Sequence, residues 1–143
     1  MLKTLKPLAA LLCLSAPALA QEAHTYEFDG SFDDATFAVE NAIVNRGLVI
    51  DWTSHVGDML RRTGEDVGSD VVIFDNADIF MFCSATLSRE VMEADPANLV
   101  HCPYAIYVEE RGGKVTIGHR DYPDGPMDKV EALLKEIAGE AAG

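Results

Sequence analysis

Residues 24–29 alternate polar and apolar positions with Tyr26 and Phe28 on one side, which predicts a strand with one buried face. The period then lengthens. Phe32, Ala35, Val39, Ala42, Ile43 and Arg46 recur at helical spacing. Ser31 followed by Asp34 predicts the start of this helix, since the hydroxyl accepts from an orphan amide and the carboxylate meets the positive helix end. Gly47 is placed to end it. Residues 48–56 return to period two, with Leu48, Ile50 and Trp52 on one side and Asp51, Thr53 and His55 on the other. That is a half-buried strand.

A second helix is predicted over 58–67, with Met59, Leu60, Thr63 and Val67 inward; Gly64 weakens it by about 1 kcal/mol relative to Ala. Residues 71–74 are apolar between Asp70 and Asp75, and read as an extended loop or a strand. The firmer strand is 77–83, where Ile79, Met81 and Cys83 occupy one face and Phe80 and Phe82 the other. Apolar residues on both faces predict a central strand. Ser84 caps a third helix reaching about Ala94, with Leu87, Val91 and Met92 inward, and Asp95-Pro96 follows. A strand over 104–110, the turn Arg111-Gly112-Gly113 and a strand over 114–119 make a hairpin. Pro126 suits the first turn of a last helix carrying Met127, Val130, Leu134 and Ile137, with Glu131 and Lys135 paired at i, i+4. The order β-α-β-α-β-α-β-β-α predicts an α+β fold: a single compact domain with one mixed β-sheet of about five strands and helices packed on it.

The residues ahead of this pattern change the picture. Lys3 and Lys6, the apolar run from Leu8 to Leu14, and Ala16-Pro17-Ala18-Leu19-Ala20 have the layout of a secretory signal peptide, cleaved between Ala20 and Gln21. The run is too short to span a bilayer. The expectation is a signal over 1–20, a domain over 21–143 and a periplasmic or secreted location, with Cys13 leaving alongside the signal. Removing residues 1–20 leaves 123 of the 143 residues, a size suited to one core. It also removes two of the 11 basic residues and none of the 24 acids, taking the formal charge from −13 to −15. Such a surface repels nucleic acid and anionic lipid, so neither is expected as a partner of the mature chain.

Several segments carry a family likeness. They are Arg46-Gly47-Leu48-Val49-Ile50 at the end of the first helix, Phe82-Cys83-Ser84-Ala85, Met92-Glu93-Ala94-Asp95-Pro96, and Cys102-Pro103-Tyr104-Ala105-Ile106-Tyr107-Val108-Glu109 ahead of Gly112-Gly113. In this order they resemble the domain of unknown function family numbered 302, over about 31–123. The resemblance implies a small compact domain that pairs as a homodimer, with no agreed activity, and an aromatic edge strand containing Tyr104 and Tyr107 would contribute to the pairing. Two departures stand out: Ser84-Ala85 replaces an Asn-Pro after the first cysteine, and Cys-Pro replaces Pro-Cys at Cys102.

Cys83 and Cys102 are the sulfur chemistry left after the signal is removed. Cys83 ends a strand directly before a helix N-terminus, a setting that lowers thiol pKa values. A right-handed crossover to the next strand would put the two sulfurs at opposite ends of the sheet; a 96–101 loop that climbs back along the helix would join them. In an exported chain with an even count, a structural disulfide is the leading reading. A thiol redox or sulfur-handling pair, with Cys83 attacking and Cys102 resolving, is the alternative, although Cys-x-x-Cys spacing is absent. A copper or haem site using Met81, Cys83, His101 and Cys102, with Met92 nearby, is the second alternative, because soft sulfur and imidazole suit those metals. The leading reading needs no cofactor. His55 near Asp51, and His119 before Arg120-Asp121, read as ordinary surface pairs or as general bases. No Gly-x-Ser-x-Gly elbow, phosphate loop or dinucleotide fingerprint is present. The sequence thus leans toward a non-catalytic binding or accessory module, with an unknown protein or small ligand as partner.

Overall fold

The computed structural model describes residues 23–143, so the predicted signal and its Ala20–Gln21 junction lie outside the described residues. The elements follow the periodicities closely: β1 (Ala23–Phe28), α1 (Phe32–Val44), β2 (Val49–Ser54), α2 (Val56–Thr63), β3 (Asn76–Cys83), α3 (Ala85–Ala94), β4 (Tyr104–Arg111), β5 (Lys114–Arg120) and α4 (Asp128–Ala142). The fold is α+β, as expected.

The sheet is antiparallel throughout rather than mixed. Its strand order is β1-β5-β4-β3-β2, and every neighbouring pair runs antiparallel. The connections explain the difference. Where β3 leaves the sheet at Cys83, α3 runs outward, and a 3₁₀ segment, Pro96–His101, folds back against it. The Asn98 side chain donates to the Val91 carbonyl at 2.8 Å and ties the two together. β4 therefore enters at the end where β3 left, with Tyr104 opposite Phe82. β3 and β4 are thus joined without a crossover and pair antiparallel.

One sheet face forms the core. Phe80 and Phe82 of β3, Tyr104, Ile106 and Val108 of β4, and Val115, Ile117 and His119 of β5 point into it, beneath α1 and α4. Burying each large apolar side chain contributes roughly 1.5–3 kcal/mol, so this layer holds the fold. Ser31 caps α1 as predicted: its hydroxyl accepts from the Asp34 amide at 3.1 Å, while the Asp34 carboxylate accepts from the Ser31 amide. Gly47, with φ +72°, carries the chain out of α1 in a conformation that side chains disfavour.

The other face is only partly covered. α2 packs over β3 at one end, where Gly57 lies so close to Ala77 that an added Cβ would sit 2.5 Å from its backbone nitrogen. α2 is shorter than predicted, because Gly64 is followed by a separate 3₁₀ turn, Glu65–Val67. Met59 and Val67, expected inward, are exposed. A bulge at Asp51 also separates Ile50, opposite Phe82, from Trp52, opposite Met81. Ile50 and Trp52 thus face opposite sides of the sheet, and Trp52 is 66% exposed instead of sharing the buried side. The expected aromatic edge strand is likewise corrected. β4, which carries Tyr104 and Tyr107, is the middle strand, and Tyr104 is buried.

Candidate functional site

The antiparallel pairing of β3 with β4 decides the fate of the cysteines. Cys83 is the last residue of β3, and Cys102 lies two positions before Tyr104, the partner of Phe82. Their sulfurs lie 3.2 Å apart as two thiols. Ser88 of α3 stands beside them, its hydroxyl 3.7 Å from the Cys102 sulfur and 3.2 Å from the Tyr104 hydroxyl. Cys102 also packs against the hydrophobic core.

Cys83 is not an activated thiol. Burial first, then its contact with Cys102 and the negative field of Asp51, pushes it up to about 11. The helix start that was expected to stabilise a thiolate is already served: the Ser84 hydroxyl accepts from the Leu87 amide at 3.3 Å. A partly buried neighbour of a carboxylate and a second sulfur favours the neutral form over the charged one.

Of the remaining sulfur-site candidates, Met81 lies half-buried on the open face, between Trp52 and Ala105. Met92 packs against the core. His101 ends the 3₁₀ segment and sets its ring edge-on to Tyr122, with centroids 5.7 Å apart. The structure thus brings Cys83 and Cys102 together, but the ligand atoms of His101, Cys83 and Cys102 do not gather within 4.8 Å of one another. His55 makes a surface pair, its Nδ1 donating to Asp78 at 2.8 Å.

A second cluster, unexpected from sequence, occupies the β1–β5 edge beneath the start of α4. His24 and His119 are register partners on β1 and β5, with ring centroids 5.0 Å apart. The His24 Nε2 lies 3.1 Å from an Asp121 oxygen and 3.4 Å from a Glu131 oxygen. The other Glu131 oxygen accepts from the Tyr122 amide, and Lys135 sits 2.5 Å from the first. The Lys135 hydrogen bond is the main reason Glu131 is held down to about 2. His119 is fully buried, and burial lowers its pKa. Its Nδ1 lies 2.8 Å from the Arg120 carbonyl, which only accepts, so the hydrogen is on Nδ1. Its Nε2 is buried without a partner. The signal for this cluster was present in the alternation: His24 shares the inward side with Tyr26 and Phe28, and His119 shares it with Val115 and Ile117. Glu131, separated from His24 by four strands and three α-helices, carried no such mark.

Comparison with known proteins adds the family. No curated protein matches the chain. A solved structure described as the crystal structure of uncharacterized conserved protein DUF302 from Bacillus stearothermophilus superposes with a TM-score of 0.60 at 19% identity. The match covers 82% of this chain and 88% of that one, and shows a shared fold. The family model described as Domain of unknown function DUF302 matches residues 24–142, a longer stretch than 31–123, and the chain belongs to that family.

Proposed function

We propose that this chain is a non-catalytic binding or accessory module that works after export to the periplasm, with Cys83 and Cys102 joined as a structural staple. The observation that carries this reading is the 3.2 Å approach of two sulfurs, of which Cys83 is pushed up to about 11. Side-chain rotation brings such a pair to the bonding distance of about 2.0 Å. The step is a two-electron oxidation. Two S–H bonds break and one S–S bond forms, while two protons and two electrons pass to a disulfide oxidant that becomes two thiols. A thiol held mostly neutral is a poor attacking group at neutral pH, which favours a staple over a cycling redox pair.

The binding surface is the open face of the sheet. Val49 and Trp52 are exposed there, and a groove of about 500 Å³ is lined by Val56, Phe74, Ala77, Ile79, Tyr107 and Arg120. Mainly apolar walls, with Arg120 offset by Asp78 and Glu109, suit a small apolar ligand or an apolar protein segment.

The test is intact mass under non-reducing conditions for protein recovered from the periplasm. The staple predicts a mass about 2 units below the dithiol form, as one S–S bond replaces two S–H bonds. Two free thiols on the recovered protein would remove the staple. Rapid disulfide exchange with small thiols at neutral pH would favour the redox alternative, and a coloured or copper-loaded preparation the metal alternative.

A further inference from the structure

We propose that His24, Asp121 and Glu131 bind a divalent transition-metal ion of the zinc type, with the neighbouring His119 drawn in as a further donor when the ion is present. The site uses none of the residues of the cysteine pair and stands independently of the reading above.

The first argument is spacing. Two ligand atoms on a tetrahedral zinc ion, each bonded at about 2.0–2.1 Å, stand about 3.3 Å apart. The His24 nitrogen lies 3.1 Å from Asp121 and 3.4 Å from Glu131. Among the described residues, these three form a group of His, Cys, Asp or Glu side chains with ligand atoms all within 4.8 Å. They come from β1, from the segment after β5 and from α4, so the folded chain assembles them from three places.

Spacing alone also fits an ordinary histidine–carboxylate pair. The second argument is His119, whose burial such a pair leaves unexplained. Its ring packs against that of His24 just outside the group of three, and its Nε2 has no partner although the residue is fully buried. The Nδ1–H is fixed on the Arg120 carbonyl, leaving a bare lone pair on Nε2. Histidines that ligate metals are commonly held this way, with the far ring nitrogen donating to a carbonyl or carboxylate. Glu131 is held similarly, one oxygen taken by the Tyr122 amide and the other turned to His24.

The donor set selects the ion. Two imidazoles and two carboxylates suit zinc and its neighbours, whereas calcium and magnesium prefer oxygen alone. Lys135 is the built-in competitor, since its ammonium contacts the same Glu131 oxygen that faces His24. Its side chain is 44% exposed and can swing into solvent when a metal takes its place.

The experiment titrates Co²⁺ alone, and then Zn²⁺, into the full chain carrying Cys83→Ser and Cys102→Ser, so that sulfur cannot ligate. One Co²⁺ per chain with ligand-field absorption, displaced by Zn²⁺, is expected. His24→Gln and Glu131→Gln should each weaken binding at least about 10–100-fold. His55→Gln, which alters an unrelated histidine–aspartate pair, should leave it unchanged. Lys135→Met should tighten it. His119→Gln tests the fourth donor, and because that residue is buried, the half-exposed His24 carries the test if the variant fails to fold. In the wild-type chain, Zn²⁺ should raise the melting temperature, and His24→Gln should abolish the rise. Absence of binding, or equal affinity in the His24 and Glu131 variants, overturns the site.

Discussion

Phe82 and Tyr104 stand opposite each other on β3 and β4, their rings edge to face with centroids 6.5 Å apart. This pairing positions the residues just outside the ladder. Cys83 follows Phe82, Cys102 precedes Tyr104 by two, and the sulfurs meet at the end of the sheet. The core thus sets the sulfur geometry, and the Ser88 hydroxyl bridges the two by reaching both Tyr104 and Cys102.

Oxidation should stabilise the fold. A bond between Cys83 and Cys102 closes a loop of 19 residues, for which chain entropy gives about 3 kcal/mol. Urea unfolding of the oxidised chain, with and without reductant, measures it. Cys83→Ser should behave like the reduced protein, and an unchanged midpoint on reduction would contradict the staple.

In the reduced chain, alkylation of Cys83 should keep accelerating beyond pH 9. Its thiol is pushed up to about 11, so the reactive thiolate stays scarce at neutral pH. The linked stability has a definite sign. A thiol raised in the folded state contributes stability that is complete below its unfolded value, near pH 9, and is lost as pH rises toward 11. Peptide mapping of alkylation rates and denaturation of the reduced chain check both. A rate plateau near pH 8 would contradict the assignment.

Glu131 gives the opposite pH dependence. Lys135 first, helped by the Tyr122 amide, holds its carboxyl at about 2. The resulting stability is present above about pH 4.5 and is lost as pH falls toward 2. Melting temperatures between pH 5 and pH 2 should fall more steeply for the wild type than for Glu131→Gln. Parallel curves would show that the pair contributes nothing to the acid transition.

Gly57→Ala should destabilise the chain by about 1–3 kcal/mol, as overpacking does. Alanine is the better helix former by at most about 1 kcal/mol. The new methyl group, however, would press on the Ala77 backbone at 2.5 Å, and backbone cannot swing aside. Crowding wins, and α2 lifts from β3. Thermal or urea denaturation decides the sign.

How far the sequence could be read depended on whether a feature was local. The Ser31–Asp34 cap, the Gly47 exit, the Ser84 cap and the Gly112-Gly113 hairpin are interactions between near neighbours, and each stands where the residues placed it. Trp52 was misplaced because a single bulge at Asp51 reverses every later side chain on β2, and no residue type announces it. The mixed sheet failed because periodicity carries no sign for strand direction.

By itself the chain determined its elements, their order and its α+β class, since periods of 2 and 3.6 and capping chemistry act over a few residues. Only the tertiary structure decided that the 3₁₀ return beside α3 would bring Cys83 to Cys102. It likewise decided that α4 would bring Glu131 to His24 and Asp121. Those meetings depend on the direction in which each connection returns, which is fixed by burying one sheet face under α1 and α4, a constraint shared by the whole chain.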